Sequence, residues 1–257
     1  MKPIWMLTCS LVFLSCDAQT AQETEHVTKE TSEEISRVEQ YYLNNKGNDQ
    51  PSQSKGSVSN GSLENGKLLP FSGTNYQYFD TTSYLMGRGF MNDKVKTTVL
   101  STYQRCEKEI SGRHFYLMEC ANQNGGKIFP HRTHQNGLSV DFMMPLNQNN
   151  KPYYDLDKLG GQHYLLAFDY EGRYLDDPSI QIDFEVVAKH LLLLEQQANE
   201  VGLKIKKVII HTELKDELYA GKYGQQLKSS NIYVVKALSP LINALHDDHY
   251  HVDFESL

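Results

Sequence analysis

The chain has no surplus of positive charge: its formal net charge at pH 7 is −7 with histidine counted neutral. Nucleic acid selects a basic face, so that class of partner is excluded. Cysteine is scarce, four in 257 residues, and none stands in a Cys-x-x-Cys pair, so the thiols are not counted as metal ligands. No Gly-x-Ser-x-Gly elbow, His-Glu-x-x-His helix, P-loop or dinucleotide fingerprint occurs, which removes the usual motifs of those chemistries. There is no internal repeat. With 39% hydrophobic residues, the chain can still bury one good core and carry a tail.

The N-terminus reads as a targeting segment. Lys2 supplies a small positive region, and Ile4 to Leu14 is an apolar run too short to span a bilayer permanently. It ends in Phe13-Leu14-Ser15-Cys16, which resembles the lipobox of bacterial lipoproteins, with a signal peptide over 1–15 and a lipidated Cys16. Ordinary cleavage near Ala18 or Ala21 is the alternative, and both routes imply export. Cys106 and Cys120 then remain as a lone pair, either one disulfide or two separately buried thiols. Residues 16–56 are polar, rich in Glu and then in Asn, Gln, Ser and Gly, and read as a tether. Within them Ile35, Val38, Tyr41 and Tyr42 offer only a turn or two of helix.

The working domain is expected over 57–257. Lys94 to Ile110 has helical spacing, Phe115 to Cys120 reads as a strand, and Phe184 to Val201 is the best helix, with Gly202 at its C-terminal stop. Leu138, Val140 and Phe142 alternate with Ser139, Asp141 and Met143, a half-buried strand projecting Asp141 away from the apolar side. Val208 to Ile210 is a short core strand. In the final segment Tyr250, Val252 and Phe254 face one way, and His249, His251 and Asp253 the other. Helices and strands mix without a βαβ rhythm, which favours an α+β fold: a central antiparallel sheet, flanking helices and a zinc site on one sheet face.

The histidines decide the chemistry. His131 and His134 precede Asp141 in mid-chain, and His246, His249 and His251 crowd the C-terminus. Imidazole and carboxylate are the donors of catalytic zinc, which takes three protein ligands and keeps a position for water. Period-two spacing places His249 and His251 on one strand face, and Gly137 allows the chain to turn between His134 and Asp141. His134, Asp141 and His251 are thus a workable ligand set, with His249 beside it as base. Spacing alone leaves that set and ordinary surface or core histidines equally open. His26, His114, His163 and His190 read as structural. His211 reads the same way, with the cleft edge as its alternative. Asp247-Asp248 reads as a solvated loop or as an outer group orienting an imidazole.

The pattern His131-x-x-His134-Gln-x-Gly-Leu-x-Val-Asp141, followed by His246-x-x-His249-x-His251, resembles the penicillin-insensitive murein endopeptidases. These are grouped with lysostaphin-type peptidases, D-Ala-D-Ala metallopeptidases and the hedgehog domain. Gly61 to Pro70 resembles that family's domain entry, so the likeness runs from about Val58 to the C-terminus. It implies zinc on His134, Asp141 and His251, a catalytic histidine at His249, and His246 and His131 lining the site. It implies hydrolysis of D-alanyl-meso-diaminopimelate cross-links between peptidoglycan stem peptides, in the periplasm. Penicillin has no serine nucleophile to acylate in such a site. The known family members are soluble, whereas this leader implies a membrane partner through a lipid anchor.

On this reading zinc acidifies water and polarises the scissile carbonyl, His249 moves the proton, and His246 or His131 steadies the oxyanion or a substrate carboxylate. Three alternatives stand beside it: a D,D-carboxypeptidase or dipeptidase of the same zinc group, a non-catalytic zinc module, and a metal-free wall-binding lipoprotein using its tyrosines as sugar platforms.

Overall fold

The computed structural model describes residues 33–34 and 36–257; the expected signal peptide, Cys16 and His26 lie outside the described residues. Along the chain run α1 (described over 33–34 and 36–45), β1 (Gln53–Ser57), β2 (Asn60–Glu64), β3 (Lys67–Leu68), β4 (Tyr76–Tyr78), α2 (Thr81–Leu85), β5 (Phe90–Met91) and α3 (Asp93–Glu109). Then come β6 (Phe115–Leu117), β7 (Ser139–Met143), β8 (Leu146–Gln148), β9 (Lys151–Tyr153), a 3₁₀ segment (Asp157–Leu165), β10 (Ile180–Ile182) and α4 (Phe184–Glu200). The remainder is β11 (Leu203–Ile209), α5 (Lys215–Ala220), α6 (Lys222–Ser229), α7 (Pro240–Ala244) and β12 (His249–Ser256).

The fold is mixed α+β. Its largest sheet has five strands in the order β11-β12-β7-β6-β4. Its pairs are antiparallel except β4–β6, which is parallel. The expected antiparallel sheet therefore holds over four strands and fails at one edge. The cause is topological: between β4 and β6 the chain detours through α2, β5 and α3, long enough to re-enter in the same direction. Small accessory sheets, β1-β2, β3-β5 and β10-β8-β9, surround it.

The two long helices form where their sequences are amphipathic and capped. In α3, Val95, Thr98, Val99, Thr102, Tyr103 and Cys106 recur at helical spacing and are buried, and the Asn92 side chain accepts from the Lys94 amide at the start. In α4, Asp183 caps the Val186 amide, and Gly202, at φ 76°, follows the C-cap residue Val201. These helices pack against each other and against the apolar sheet face. On that face Phe142 stacks on Tyr250, with centroids 5.4 Å apart, and the Tyr250 hydroxyl meets His190 Nδ1 of α4 at 2.9 Å.

Two expectations need correction. All five residues of β7 are buried, not alternate ones, because loops cover the second sheet face as well. The polar stretch taken as tether is partly built into the domain. Val38, Tyr41 and Tyr42 share one side of α1: Val38 is core, and Tyr41 packs edge-on against Tyr84 at 5.7 Å. Strand β1 already begins at Gln53. Cys106 and Cys120 are buried free thiols, the second of the two arrangements considered.

His190 gives the fold an acid sensitivity. Burial holds its pKa down at about 3, against 6.5 for an unperturbed imidazole. Between those values the unfolded chain binds a proton that the folded chain refuses, so stability falls as pH drops. The slope from this one residue is about 1.4 kcal/mol per pH unit. Urea unfolding at about pH 6 and about pH 4.5 should show the unsubstituted chain losing about 2 kcal/mol more than His190→Gln.

Candidate metal centre

Strand register assembles the site. β12 lies between β11 and β7, with His251 directly opposite Asp141, Asp253 opposite Ser139 and His249 opposite Met143. Because Tyr250, Val252 and Phe254 occupy the core face, the alternate residues His249, His251 and Asp253 all project to the other side. His134 arrives from the loop before β7, its own backbone at φ 66°. Gly137, at φ 74°, completes the turn: a Cβ there would fall 2.8 Å from Leu63 Cδ2 and 2.9 Å from the Asn92 nitrogen. Only glycine fits, and the expected turn between His134 and Asp141 is the one observed.

The structure brings the sequence-derived site residues into one cluster. His134 Nε2 lies 3.2 Å, and His131 Nδ1 3.6 Å, from Asp141 Oδ2. His251 Nδ1 lies 2.7 Å from Asp141 Oδ1. The His134 ring centroid is 4.8 Å from that of His251, and the His246 centroid is 4.9 Å from that of His249. Among the described residues, His131, His134 and Asp141 form a donor group whose ligand atoms all lie within 4.8 Å of one another. His131, expected to line the site and steady an oxyanion or a substrate carboxylate, thus stands among the candidate donors, and His251 closes on Asp141 from the other side.

This donor set fits a divalent ion. Asp141 Oδ2 and both nitrogens of His134 are buried without a hydrogen-bond partner. Leaving such atoms unsatisfied is costly, and a cation would satisfy the two that face each other. Two imidazoles and a carboxylate, with a third imidazole within reach, are borderline donors suited to a zinc-like ion.

The histidines around this centre are pinned from behind. His131 Nε2 meets Glu119 Oε2 at 2.5 Å, and Glu119 is itself held by Arg88 at 2.8 Å and by the Ser83 hydroxyl at 2.9 Å. His251 Nε2 meets Asp253 Oδ1, and His249 Nδ1 meets Asp248 Oδ1, both at 2.7 Å. His246 Nδ1 donates to the Ile242 carbonyl at 2.6 Å. In each case one ring nitrogen is committed outward, so the other is the one turned toward the site.

Electrostatics follow from this packing. Burial would raise the Asp141 pKa, but His134 and His251 hold it well below the usual carboxylate value. Burial would lower His251, yet Asp253 and Asp141 lift it to about 10. For His249 burial again opposes, and Asp248 prevails, setting it above the ordinary value. His246 has no such partner: burial, then neighbouring His249, bring it down to about 3. It is neutral, and its inward nitrogen is an acceptor.

A cleft of about 890 Å³ opens onto His131, His246, His249 and His251, with Met86, Leu166, Leu241 and Leu245 among its apolar walls. Tyr164 lines it too, edge-on to His249 at 5.4 Å. His114, His163, His190 and His211 are not cleft-lining residues. His163 bonds the carbonyls of Leu156 and Asp248, and His211 contacts Asn243 and Glu213, as structural groups do. Asp248 is buried, so the solvated-loop reading is overturned in favour of an outer group orienting His249.

A model of the penicillin-insensitive murein endopeptidase family matches residues 54–256. The chain belongs to that family. No curated protein matches it. Membership makes the chain a peptidase of murein and places it in the cell envelope. Among the described residues no helix is long and apolar enough to cross a membrane.

Sequence reasoning missed Glu119, which sits two residues beyond the short strand β6 and carries no pattern of its own. Asp253 had a visible signal, the continued period-two step beyond His249 and His251. If Asp141 is the hub of a metal centre, Asp141→Asn should weaken zinc binding by more than the roughly 10- to 100-fold that loss of an outer partner costs. Competition against a chromophoric chelator measures it.

Proposed function

We propose that this penicillin-insensitive murein endopeptidase is a zinc enzyme that cuts the D-alanyl-meso-diaminopimelate cross-links of bacterial peptidoglycan. The observation carrying this reading is the pair of unpartnered, buried donors, Asp141 Oδ2 and His134 Nε2, lying behind His131 and His251, which line the cleft. His134, Asp141 and His251 hold the ion, and His131 is close enough to join them. The chemistry such an ion supplies when bound is a Lewis acid for the scissile carbonyl and a lowered pKa for water.

The rest falls to the chain. His249 donates its Nδ1–H to Asp248, so Nε2 accepts a proton from the attacking water and passes it to the leaving amine. Asp248 fixes the tautomer and stabilises the imidazolium formed in between, which is why His249 is more basic than its burial alone would allow. His246, with Nδ1 spent on Ile242, offers an acceptor to a substrate N–H and is a poor partner for an oxyanion. That leaves anionic substrate groups to the cleft's cations, among which Arg132 is exposed beside His131. The enzyme works in the periplasm, held to a membrane by a lipid on Cys16, a reading supported by the leader's Ile4–Leu14 run and Ser15-Cys16 ending.

Digestion of purified cross-linked muropeptides tests the assignment. Dimers should disappear, stop disappearing with a chelator, and resume when zinc is restored. Loss of terminal D-alanine with the dimers intact would make the enzyme a carboxypeptidase instead. His249→Ala should keep its zinc and lose about 10²- to 10⁴-fold in turnover; full activity in that variant would remove His249 from the proton path.

A further inference from the structure

Asp253 has no exposed surface and lies one period-two step beyond His251. Its Oδ1 accepts from His251 Nε2 at 2.7 Å and from the Ser139 hydroxyl at 2.6 Å, and its Oδ2 lies 3.1 Å from Lys207 Nζ. The backbone is shaped to make the last contact. Strand β11 carries a bulge between Ile205 and Lys207: Ile205 pairs with Phe254, and Lys207, not Lys206, pairs with Asp253. An extra residue of this kind re-aims the side chain that follows it. Here it puts a lysine on the site face of the sheet, against the one carboxylate that backs His251.

We infer that Asp253 is a positioning residue for metal binding. It commits His251 Nε2 to donation, which reserves Nδ1, 2.7 Å from Asp141 Oδ1, as the nitrogen that would face a bound ion once its proton is released, and it fixes the ring plane. A histidine ligand has two nitrogens, and a free ring would divide between tautomers and orientations; a buried carboxylate on the far nitrogen removes that choice and makes the near one a stronger donor. Ser139, on β7, and Lys207, on β11, hold Asp253 from both neighbouring strands. Three strands therefore fix one imidazole. The inference rests on the proposed ligand role of His251, and it goes further by assigning this outer triad.

The test is zinc affinity, read by chelator competition, in Asp253→Ala and Asp253→Asn, each alone and combined with His251→Ala. His131, His134 and Asp141 remain in the combined variants and keep a measurable site. Asp253→Ala should bind zinc about 10- to 100-fold more weakly than the unsubstituted chain, and Asp253→Asn less weakly, since its amide oxygen still accepts from Nε2. In the His251→Ala background both substitutions should change affinity little. Equal losses in the two backgrounds would show a merely structural role and overturn the inference, as would unchanged affinity in the single variants. Should Asp253→Ala fail to fold, the near-isosteric Asp253→Asn carries the same comparison. Failure of the unsubstituted chain to bind zinc would instead sink the metal reading beneath it.

Discussion

A carboxylate almost without exposed surface, Asp141, sits among the imidazoles of His131, His134 and His251, and the surrounding architecture follows from having to keep it ionised there. An isolated charge at that depth would neutralise itself or unfold its surroundings. The fold answers by supplying partners from two directions. β12 brings His251 by direct cross-strand pairing, and the loop before β7 brings His131 and His134 across a glycine turn. Neither could be moved by one residue. A register slip in β12 would turn His251 toward the helices and expose Tyr250 to the polar side.

The central strands thus serve two media at once. Toward α3 and α4 they present Val140, Phe142, Tyr250, Val252 and Phe254, a dry surface whose burial stabilises the domain. On their other face the same strands present acids and imidazoles, and these are buried as thoroughly. That second face is stable only because its charged groups have partners: Glu119 with Arg88 and His131, Asp253 with Ser139 and His251, Asp248 with His249. Several atoms of this face still lack a hydrogen-bond partner, Asp248 Oδ2 and both His134 nitrogens among them, and of these Asp141 Oδ2 and His134 Nε2 face each other 3.2 Å apart. Two facing orphans of this kind are what a shared cation would satisfy.

How much of this was legible in the sequence depended on periodicity. The period-two run from His249 to Phe254 and the helical stripes of α3 and α4 gave the right elements and, for β12, the right faces. Gly137 as a turn and Gly202 as a helix stop were readable because each is demanded by a positive φ. What escaped was context. The parallel β4–β6 edge depends on the route of a long connection, which local pattern does not encode. Helix α1 read as no more than a turn or two in a polar stretch because Val38, Tyr41 and Tyr42 are too few to stand out until Tyr84 gives Tyr41 a partner. Glu119 was invisible because its role is set wholly by residues distant in sequence, His131 and Arg88 among them.

Charge balance explains why so many acids gather here. Glu119 is matched by Arg88 and Asp253 by Lys207, while Asp248 is hydrogen-bonded to His249 and holds its pKa above the ordinary value. Asp141 is then the unmatched charge, and a proton on His251, held up to about 10 by Asp253 and Asp141, offsets it. That proton lies on the ring which, once deprotonated, offers Nδ1 to a cation. A divalent ion held there would compete with that proton for one electrostatic position and would have to expel it. The acids that would welcome the cation also make the proton hard to displace, so its affinity would weaken as pH falls. The fold limits the conflict through geometry: Asp253 holds the far nitrogen, and only the near one has to change its occupant.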